Sequence, residues 1–251
     1  PTDNIHTLNA GIIKTGTTTE SEELLISALA RVTYSYKDRY LISASSRWDG
    51  SSRFGADNNW GYFPSVSLGW RISEEAFFES LKSTINEFKL RASYGASGNK
   101  SIGNYKAFGL LSPSNAVINN AVTPGYAQTS SANKELGWER TFQYNGGFDM
   151  GLFNNRIRIN VDGYYTITDK LLLEREISSM TGQTNQLVNM GKMSNTGYEV
   201  EITTQNIMTN DLRRSTSLNV AQNLNKVKDM GGVDKIVTSP ARQDKRTTYF
   251  I

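Results

Sequence analysis

Two carboxylates, Glu199 and Glu201, come closest in type and spacing to a catalytic pair. At positions i and i+2 of a strand, two side chains share one face. Glycoside hydrolysis instead needs an acid and a base positioned on either side of the scissile bond. A solvated polar face explains the pair without any chemistry, and we interpret Glu199 and Glu201 in that way.

The other candidate motifs are also incomplete. The loop 49–59 offers Asp49 and Asp57 as oxygen ligands for calcium but lacks the spacing of a calcium loop. The glycine-rich stretch 95–103 does not follow the order of a phosphate-binding P-loop and indicates a turn. The chain has no cysteine, and its one histidine is His6. We therefore predict no catalytic residue, no metal, no cofactor and no enzyme activity.

Most of the chain alternates between apolar and polar residues, which is typical of β-strands with one apolar face. The pattern runs through 39–49, 87–96, 139–151, 156–167 and 196–206. These segments are longer than the five or six residues of a common strand, and they suit the roughly 9–11 residues of a tilted membrane strand. In 39–49, the first face carries Tyr40, Ile42, Ala44 and Trp48 and the second carries Ser43, Ser45 and Arg47.

The connections between these strands alternate in length. Tight turns are predicted at 37–38, 153–155 and 209–211, and long connections at 50–59, 97–137, 173–193 and from 226 onward. Outer-membrane barrels show this alternation because their periplasmic turns are short and their outer loops are long.

One connection departs from the alternation. The segment 73–86 must lie on the short-turn side, and Ser73 followed by two glutamates indicates an N-capped start. We predict a short periplasmic helix near 73–84. With the polar segment 1–23 interpreted as a loop, the chain has eight predicted strands.

The two faces receive opposite assignments in a membrane barrel, since one contacts lipid and the other lines the lumen. An aromatic girdle at the membrane interface explains Trp48, Trp60 and Trp70 more simply than sugar stacking does. The predicted lipid-facing residues include Ile42, Leu68, Leu90, Phe148, Ile159 and Ile202. The predicted lumen-lining residues are Arg47, Arg91, Asn145, Arg158, Asp162, Glu199 and Glu201.

Three stretches resemble the SusC/RagA family of TonB-linked (TonB-dependent) outer-membrane proteins of Bacteroidetes. The most specific is 31–78, which contains RWDGSSRFGADNNWGYFPSVSLGW. The others are FKLRASYGASGNKSIGNY at 88–105 and ELGWERTFQYNGGFDMGLFNNRIRINVDGYYTITDKLLL at 135–173, followed by NMGKMSNTGYEVEI at 189–202. Together they cover most of the chain.

The resemblance implies an all-β antiparallel transmembrane barrel, of which residues 1–251 would be a sector of about eight strands within a wall of roughly 22. It implies import of oligosaccharides or peptides across the outer membrane, energised through TonB and assisted by a SusD-like surface lipoprotein. The family's plug domain, TonB-contact segment and remaining barrel strands are expected to lie outside these residues.

Two other classes are compatible with parts of the pattern. A soluble all-β carbohydrate-binding module also has aromatics and alternating strands. A general porin satisfies the same physics, because the residues themselves do not demonstrate energy coupling. Nucleic acid is not a predicted partner, because the formal charge of +3 is small and its basic residues are scattered.

Overall fold

The computed structural model describes residues 20–118 and 120–232, and twelve strands account for most of them. His6 and most of the predicted N-terminal loop lie outside these ranges. The strands are β1 Leu25–Tyr36, β2 Tyr40–Ser51, β3 Trp60–Arg71, β4 Ile85–Asn99, β5 Leu111–Ile118, β6 Ala121–Gln128, β7 Glu139–Leu152, β8 Ile157–Asp169, β9 Leu172–Glu176, β10 Asn185–Asn189, β11 Lys192–Met208 and β12 Arg213–Asp229.

Eight long strands form one antiparallel sheet in the order β1-β2-β3-β4-β7-β8-β11-β12. All eight predicted strands are confirmed. Strand β4 continues to Asn99, so the first half of the glycine-rich stretch is strand and not the predicted turn. Within the described residues, β1 pairs only with β2, and β12 only with β11.

Tight turns join neighbouring long strands at one end of the sheet, here called the short-turn end. Lys37 and Asp38 both have positive φ, as a two-residue hairpin turn requires. Phe153, Asn154 and Asn155 also have positive φ. The side-chain oxygen of Asn86 accepts hydrogen bonds from the backbone of both asparagines, which holds this turn against the start of β4.

The predicted N-capped helix near 73–84 is wrong in its details. The structure has two short 3₁₀ segments, Ile72–Glu74 and Ala76–Leu81, separated by Glu75 in an extended conformation. Ser73 lies inside the first segment, and its buried hydroxyl caps nothing. The Glu75 carboxylate between the two segments binds the side chains of Tyr40, Trp70 and Arg39, and no continuous helix forms.

The opposite end of the long strands, here called the long-connection end, contains more secondary structure than predicted. The connection 97–137 contains the hairpin β5–β6, and the connection 173–193 contains most of the hairpin β9–β10. Both hairpins lie where the sequence predicts only long loops. Each hairpin forms its own two-stranded sheet outside the long strands.

The register places the six predicted lipid-facing residues on one face of the sheet. Ile42 pairs with Leu68, Leu90 with Phe148, and Ile159 with Ile202. The seven predicted lumen-lining residues share the opposite face. We call these the apolar face and the polar face; that they contact lipid and a lumen remains a prediction.

Within residues 20–118 and 120–232, buried apolar side chains lie at the two ends of the sheet. Phe54, Phe63, Ala107, Leu136 and Trp138 form one cluster where the long connections meet. No second layer covers the apolar face within the described residues, and Leu68 at its centre is 51 % exposed. A soluble sandwich would bury such a face against another sheet. No described helix is long and apolar enough to span a membrane.

Candidate functional site

The centre of the polar face holds one cation between two carboxylates. Arg91 of β4 donates from Nη1 and Nη2 to the two carboxylate oxygens of Asp162 in β8, each at 2.9 Å. Its Nε and Nη2 lie 3.1 and 2.8 Å from Oδ1 of Asp149 in β7. The three side chains are only 25 to 30 % exposed. Because the fork-like contact to Asp162 is a strong ion-pair geometry, this cluster ties three strands together.

Gly147 allows this contact to cross β7. In the register, Gly147 stands between Arg91 on one side and Asp162 on the other. A Cβ at position 147 would lie 2.6 Å from Oδ1 of Asp162 and 2.4 Å from the backbone oxygen of Val161. The missing side chain leaves the space in which the Asp162 carboxylate meets Arg91.

Carboxylates and amides continue the polar face toward β12. Glu199 is the register partner of Asp162, and the Asn160 amide donates to Glu201 at 3.3 Å. A recess of about 400 Å³ lies beside them, and Asn145 is part of its polar lining. The structure therefore brings Arg91, Asn145, Asp162, Glu199 and Glu201 into one continuous surface.

The other two predicted residues of the polar face lie apart. Arg47 donates from Nε to Asp49 at 2.8 Å, near the long-connection end. This ion pair occupies one of the two carboxylates considered for calcium. Arg158 lies near the start of β8 and has no ion pair among the described residues. The predicted set is thus one connected cluster with two outlying arginines.

Two members of this site are outside the predicted lumen-lining set. The alternation in 139–151 places Asp149 on the polar side with Asn145, but the set includes only Asn145. Gly147 carries no side chain, and only the cross-strand register shows why the position matters. Arg91 and Asp162 were predicted singly, because nothing in the sequence pairs residues 71 positions apart.

A second polar cluster joins the connections at the long-connection end. The Arg53 guanidinium donates to Glu23 at 2.7 Å and to the side-chain oxygen of Asn104 at 2.8 Å. The Lys100 ammonium also contacts Glu23. Its hydrogen bond, with the added charge of Arg53, lowers the pKa of the Glu23 carboxyl below its ordinary value. The carboxylate therefore remains charged at neutral pH and holds three segments together.

Asn189 fixes the segment that precedes β7. Its side chain accepts from the backbone nitrogen of Gly137 at 2.7 Å and donates to the backbone oxygens of Gly137 and Lys170 at 2.8 and 3.0 Å. Trp138 donates from Nε1 to the backbone oxygen of Asn59 at 2.9 Å. Backbone groups that would otherwise be unpaired are thus satisfied where the long connections cross.

Aromatic side chains occupy both ends of the apolar face. Tyr36, Tyr40 and Trp70 stack at the short-turn end with ring centroids 6.4 and 6.3 Å apart. Trp48 and Tyr62 lie 5.0 Å apart at the other end. Trp48 lies eight positions after Tyr40, which corresponds to about 26 Å along a strand. Two aromatic levels at about this spacing fit the apolar band of a membrane barrel.

The arrangement is a solvated polar surface. Its carboxylates are paired with cations or amides, or lie on an open polar surface. No three Asp, Glu, His or Cys side chains in the described ranges are placed to hold a metal ion. The polar face can offer fixed charges and hydrogen-bonding groups to water or to a solute.

Comparisons with known proteins agree on the family. The family described as "TonB dependent receptor-like, beta-barrel" matches residues 3–247. A TonB-dependent receptor of Formosa agariphila is 41 % identical over 236 residues, which cover 94 % of this chain and 22 % of that protein. The TonB-dependent receptor SusC of Bacteroides thetaiotaomicron is 37 % identical over 219 residues, covering 84 % of this chain and 21 % of SusC.

A solved structure also matches. The structure titled as the RagAB peptide importer in its open-open state superposes with a TM-score of 0.79 at 29 % identity. The match covers 94 % of this chain and 26 % of the RagAB chain. The chain thus spans about a fifth to a quarter of the length of these relatives.

Proposed function

The chain belongs to the β-barrel family of TonB-dependent receptors, of the SusC/RagA type, and from this premise we propose that it forms part of the wall of an outer-membrane nutrient importer. The observation that carries the proposal is the single-layered sheet with one exposed apolar face and one charged face. Only a bilayer on one side and water on the other satisfy both faces at once. The apolar face contacts lipid, and the seven predicted polar residues line the lumen or contact the plug.

The two ends of the sheet face different compartments in this proposal. The short-turn end lies in the periplasm and the long-connection end outside the cell, as in other outer-membrane barrels. The long connections then shape the outer mouth. Their packing through Asn189, Trp138 and Arg53 supports this role, because a mouth that binds partners needs loops held in fixed positions.

The transported nutrients are proposed to be oligosaccharides or peptides, taken up with energy delivered through TonB. The structural relative RagAB is titled a peptide importer, which supports peptides as the transported class. The test is uptake of labelled oligopeptides and labelled oligosaccharides by cells that carry the full-length protein, compared with cells lacking its gene. We expect that cells lacking the gene no longer take up one of the two substrate classes, and that cells lacking TonB lose uptake of the same class. Uptake that needs the gene but not TonB would identify a passive pore instead.

The hairpin β5–β6 is proposed to dock a SusD-like surface lipoprotein. Residues 111, 113, 115 and 117 of β5 and 122, 124, 126 and 128 of β6 share one face by register. On that face Val117, Val122 and Tyr126 are each at least 69 % exposed. Exposed apolar patches of this kind mark interaction surfaces.

Aspartate at both Val117 and Val122 is expected to weaken the association with the lipoprotein about tenfold, because two desolvated apolar contacts are replaced by charges. Co-purification of the lipoprotein with the full-length protein measures the change. The control is Ser114→Asp on the opposite face of the same hairpin, which should leave co-purification unchanged. Equal recovery with all variants would reject this docking surface.

A further inference from the structure

The connection between β3 and β4, residues 72–84, is folded onto the outside of the sheet. Its Glu75 carboxylate accepts from the Tyr40 hydroxyl at 2.6 Å and from Trp70 Nε1 at 3.1 Å. Arg39 of the β1–β2 turn forms an ion pair with the same carboxylate at 3.2 Å. Tyr40 and Trp70 belong to the aromatic level of the apolar face. The connection is therefore held beside that level and not beneath the polar face.

A second contact reaches the neighbouring strand β4 on the same face. Phe78 is 5 % exposed and stacks on Phe88 with a centroid distance of 6.2 Å and an interplanar angle of 19°. Phe88 has the same parity as Leu90 in β4, and its ring also meets that of Phe148 at 6.0 Å. The connection thus covers one end of the apolar face from outside.

Ile72 of the connection is also buried, but two other large apolar side chains are exposed among the described residues. Phe77 is 67 % exposed and Leu81 is 49 % exposed. Residues three apart share a row on a 3₁₀ segment, so Phe78 and Leu81 form one row and Phe77 begins the next. The third row carries Glu79, which forms an ion pair with Lys82 at 3.1 Å. The three rows are Phe78 with Leu81, Phe77 with Ser80, and Ala76 with Glu79, so the large apolar side chains lie on two rows and the charge lies on the third.

We propose that the β3–β4 connection is a membrane-contacting element in which Phe77 and Leu81 insert into the periplasmic leaflet of the outer membrane. The contacts of Glu75 with Tyr40 and Trp70 hold the connection at the level of these rings, and in this proposal the two exposed side chains extend the apolar face there. Amphipathic tyrosine and tryptophan side chains occupy the boundary between hydrocarbon and water. Burying apolar side chains at that boundary is favourable, and Glu75 keeps the connection from swinging away into the periplasm.

The partner is the apolar part of the leaflet and not its headgroup charge. The basic residues nearest the connection, Arg39, Arg71 and Lys82, each lie within 4 Å of one of its own glutamates. Hydrogen bonds from Tyr40, then Trp70 and Arg39, lower the pKa of the Glu75 carboxyl, so its ion pair persists at neutral pH. With these cations already paired, we expect insertion to be independent of anionic lipid.

Site-directed nitroxide labels in the full-length protein test the insertion. Phe77→Cys and Leu81→Cys are the probes, and Glu79→Cys is the matched control on the charged row of the same segment. The chain has no cysteine of its own, and any cysteine elsewhere in the protein is replaced by serine. In phosphatidylcholine vesicles, labels at 77 and 81 should show a ratio of oxygen to nickel-chelate accessibility several-fold higher than the label at 79.

The inference rests on the proposed membrane placement of the sheet, so wall positions are measured in the same experiment. Leu68→Cys reports the apolar face and Asn145→Cys the polar face. Aqueous accessibility at 77 and 81 with a lipid signal at 68 would overturn this inference alone. Aqueous accessibility at 68 as well would overturn both it and the assigned facing. Labels at 77 and 81 shielded from both reagents would show contact with a protein and also overturn the inference.

Discussion

Arginine in place of Val66 should prevent most of the barrel from assembling, whereas arginine in place of Ser67 should be tolerated. Val66 lies on the apolar face of β3, four residues from Tyr62 and four from Trp70, and hence midway between the two aromatic levels. A lysine or arginine facing lipid at the bilayer midplane costs about 2–4 kcal/mol. Ser67 projects to the polar face, where water solvates the added charge.

The measurement is the fraction of full-length protein in outer membranes that shows the heat-modifiable mobility of a folded barrel. The two substitutions introduce the same side chain at adjacent, exposed positions of one strand, so they differ only in the face they occupy. Leu68→Arg should fall between them, since it lies closer to the Trp70 level and the cost decreases toward the interface. Equal assembly of the Val66 and Ser67 variants would reject the facing of the sheet.

The long strands could be predicted from the sequence because their alternation is uninterrupted. The segment 139–151 keeps its large apolar residues on one parity from Phe142 to Met150, and few other structures satisfy that pattern. The tight turns could also be predicted, because only two or three residues, 37–38 and 153–155, separate the alternating segments and no other element fits there. Parity alone then assigned each residue to a face.

The connections were poorly predicted, because local sequence does not determine their structure. Strand β5, LSPSNAVI, contains a proline and has no apolar alternation over its first half, so its pairing with β6 is visible only in three dimensions. The sequence after β3 resembles a capped helix. In the structure, Glu75 binds Tyr40, Trp70 and Arg39, and two short 3₁₀ segments form instead. In both cases tertiary contacts override the local signal.

In the site, the alternation of residues along each strand predicts which face a side chain is on, whereas the register between strands decides which side chains meet. Parity placed Arg91 and Asp162 on one face, but their contact depends on how far β4, β7 and β8 are shifted along each other. That shift accumulates over a turn and a connection of about forty residues, which a single sequence does not constrain. Gly147 is the clearest case, because its contribution is the absence of a side chain at one register position.

The ion cluster is also the point at which side chains of the polar face link three strands. Each neighbouring strand pair is already joined by backbone hydrogen bonds, yet Arg91 bonds to β7 and to β8 beyond it. A sheet with one face in lipid can place such charged cross-links only on its other face. In the proposed barrel, the cluster stabilises the wall on the same face that carries Glu199 and Glu201.

Replacing Arg91 by methionine is expected to destabilise the assembled barrel by about 2 kcal/mol. The substitution leaves Asp149 and Asp162 close together without their shared cation. The cost should exceed that of a surface ion pair, about 0–1 kcal/mol, because the side chains are mostly covered. It should be lower than the roughly 3–5 kcal/mol of a fully buried pair, because water reaches the cluster.

Guanidinium unfolding of the full-length protein, read from the midpoint at unchanged slope, measures this cost. Arg158→Met is the matched control, since it removes the same guanidinium from the same face without breaking an ion pair. Neutralising the aspartates with Asp149→Asn and Asp162→Asn in the Arg91→Met background should recover part of the loss, because the repulsion between them disappears. If Arg91→Met costs no more than Arg158→Met, the cluster does not hold the strands together and its charges serve only the solvated surface.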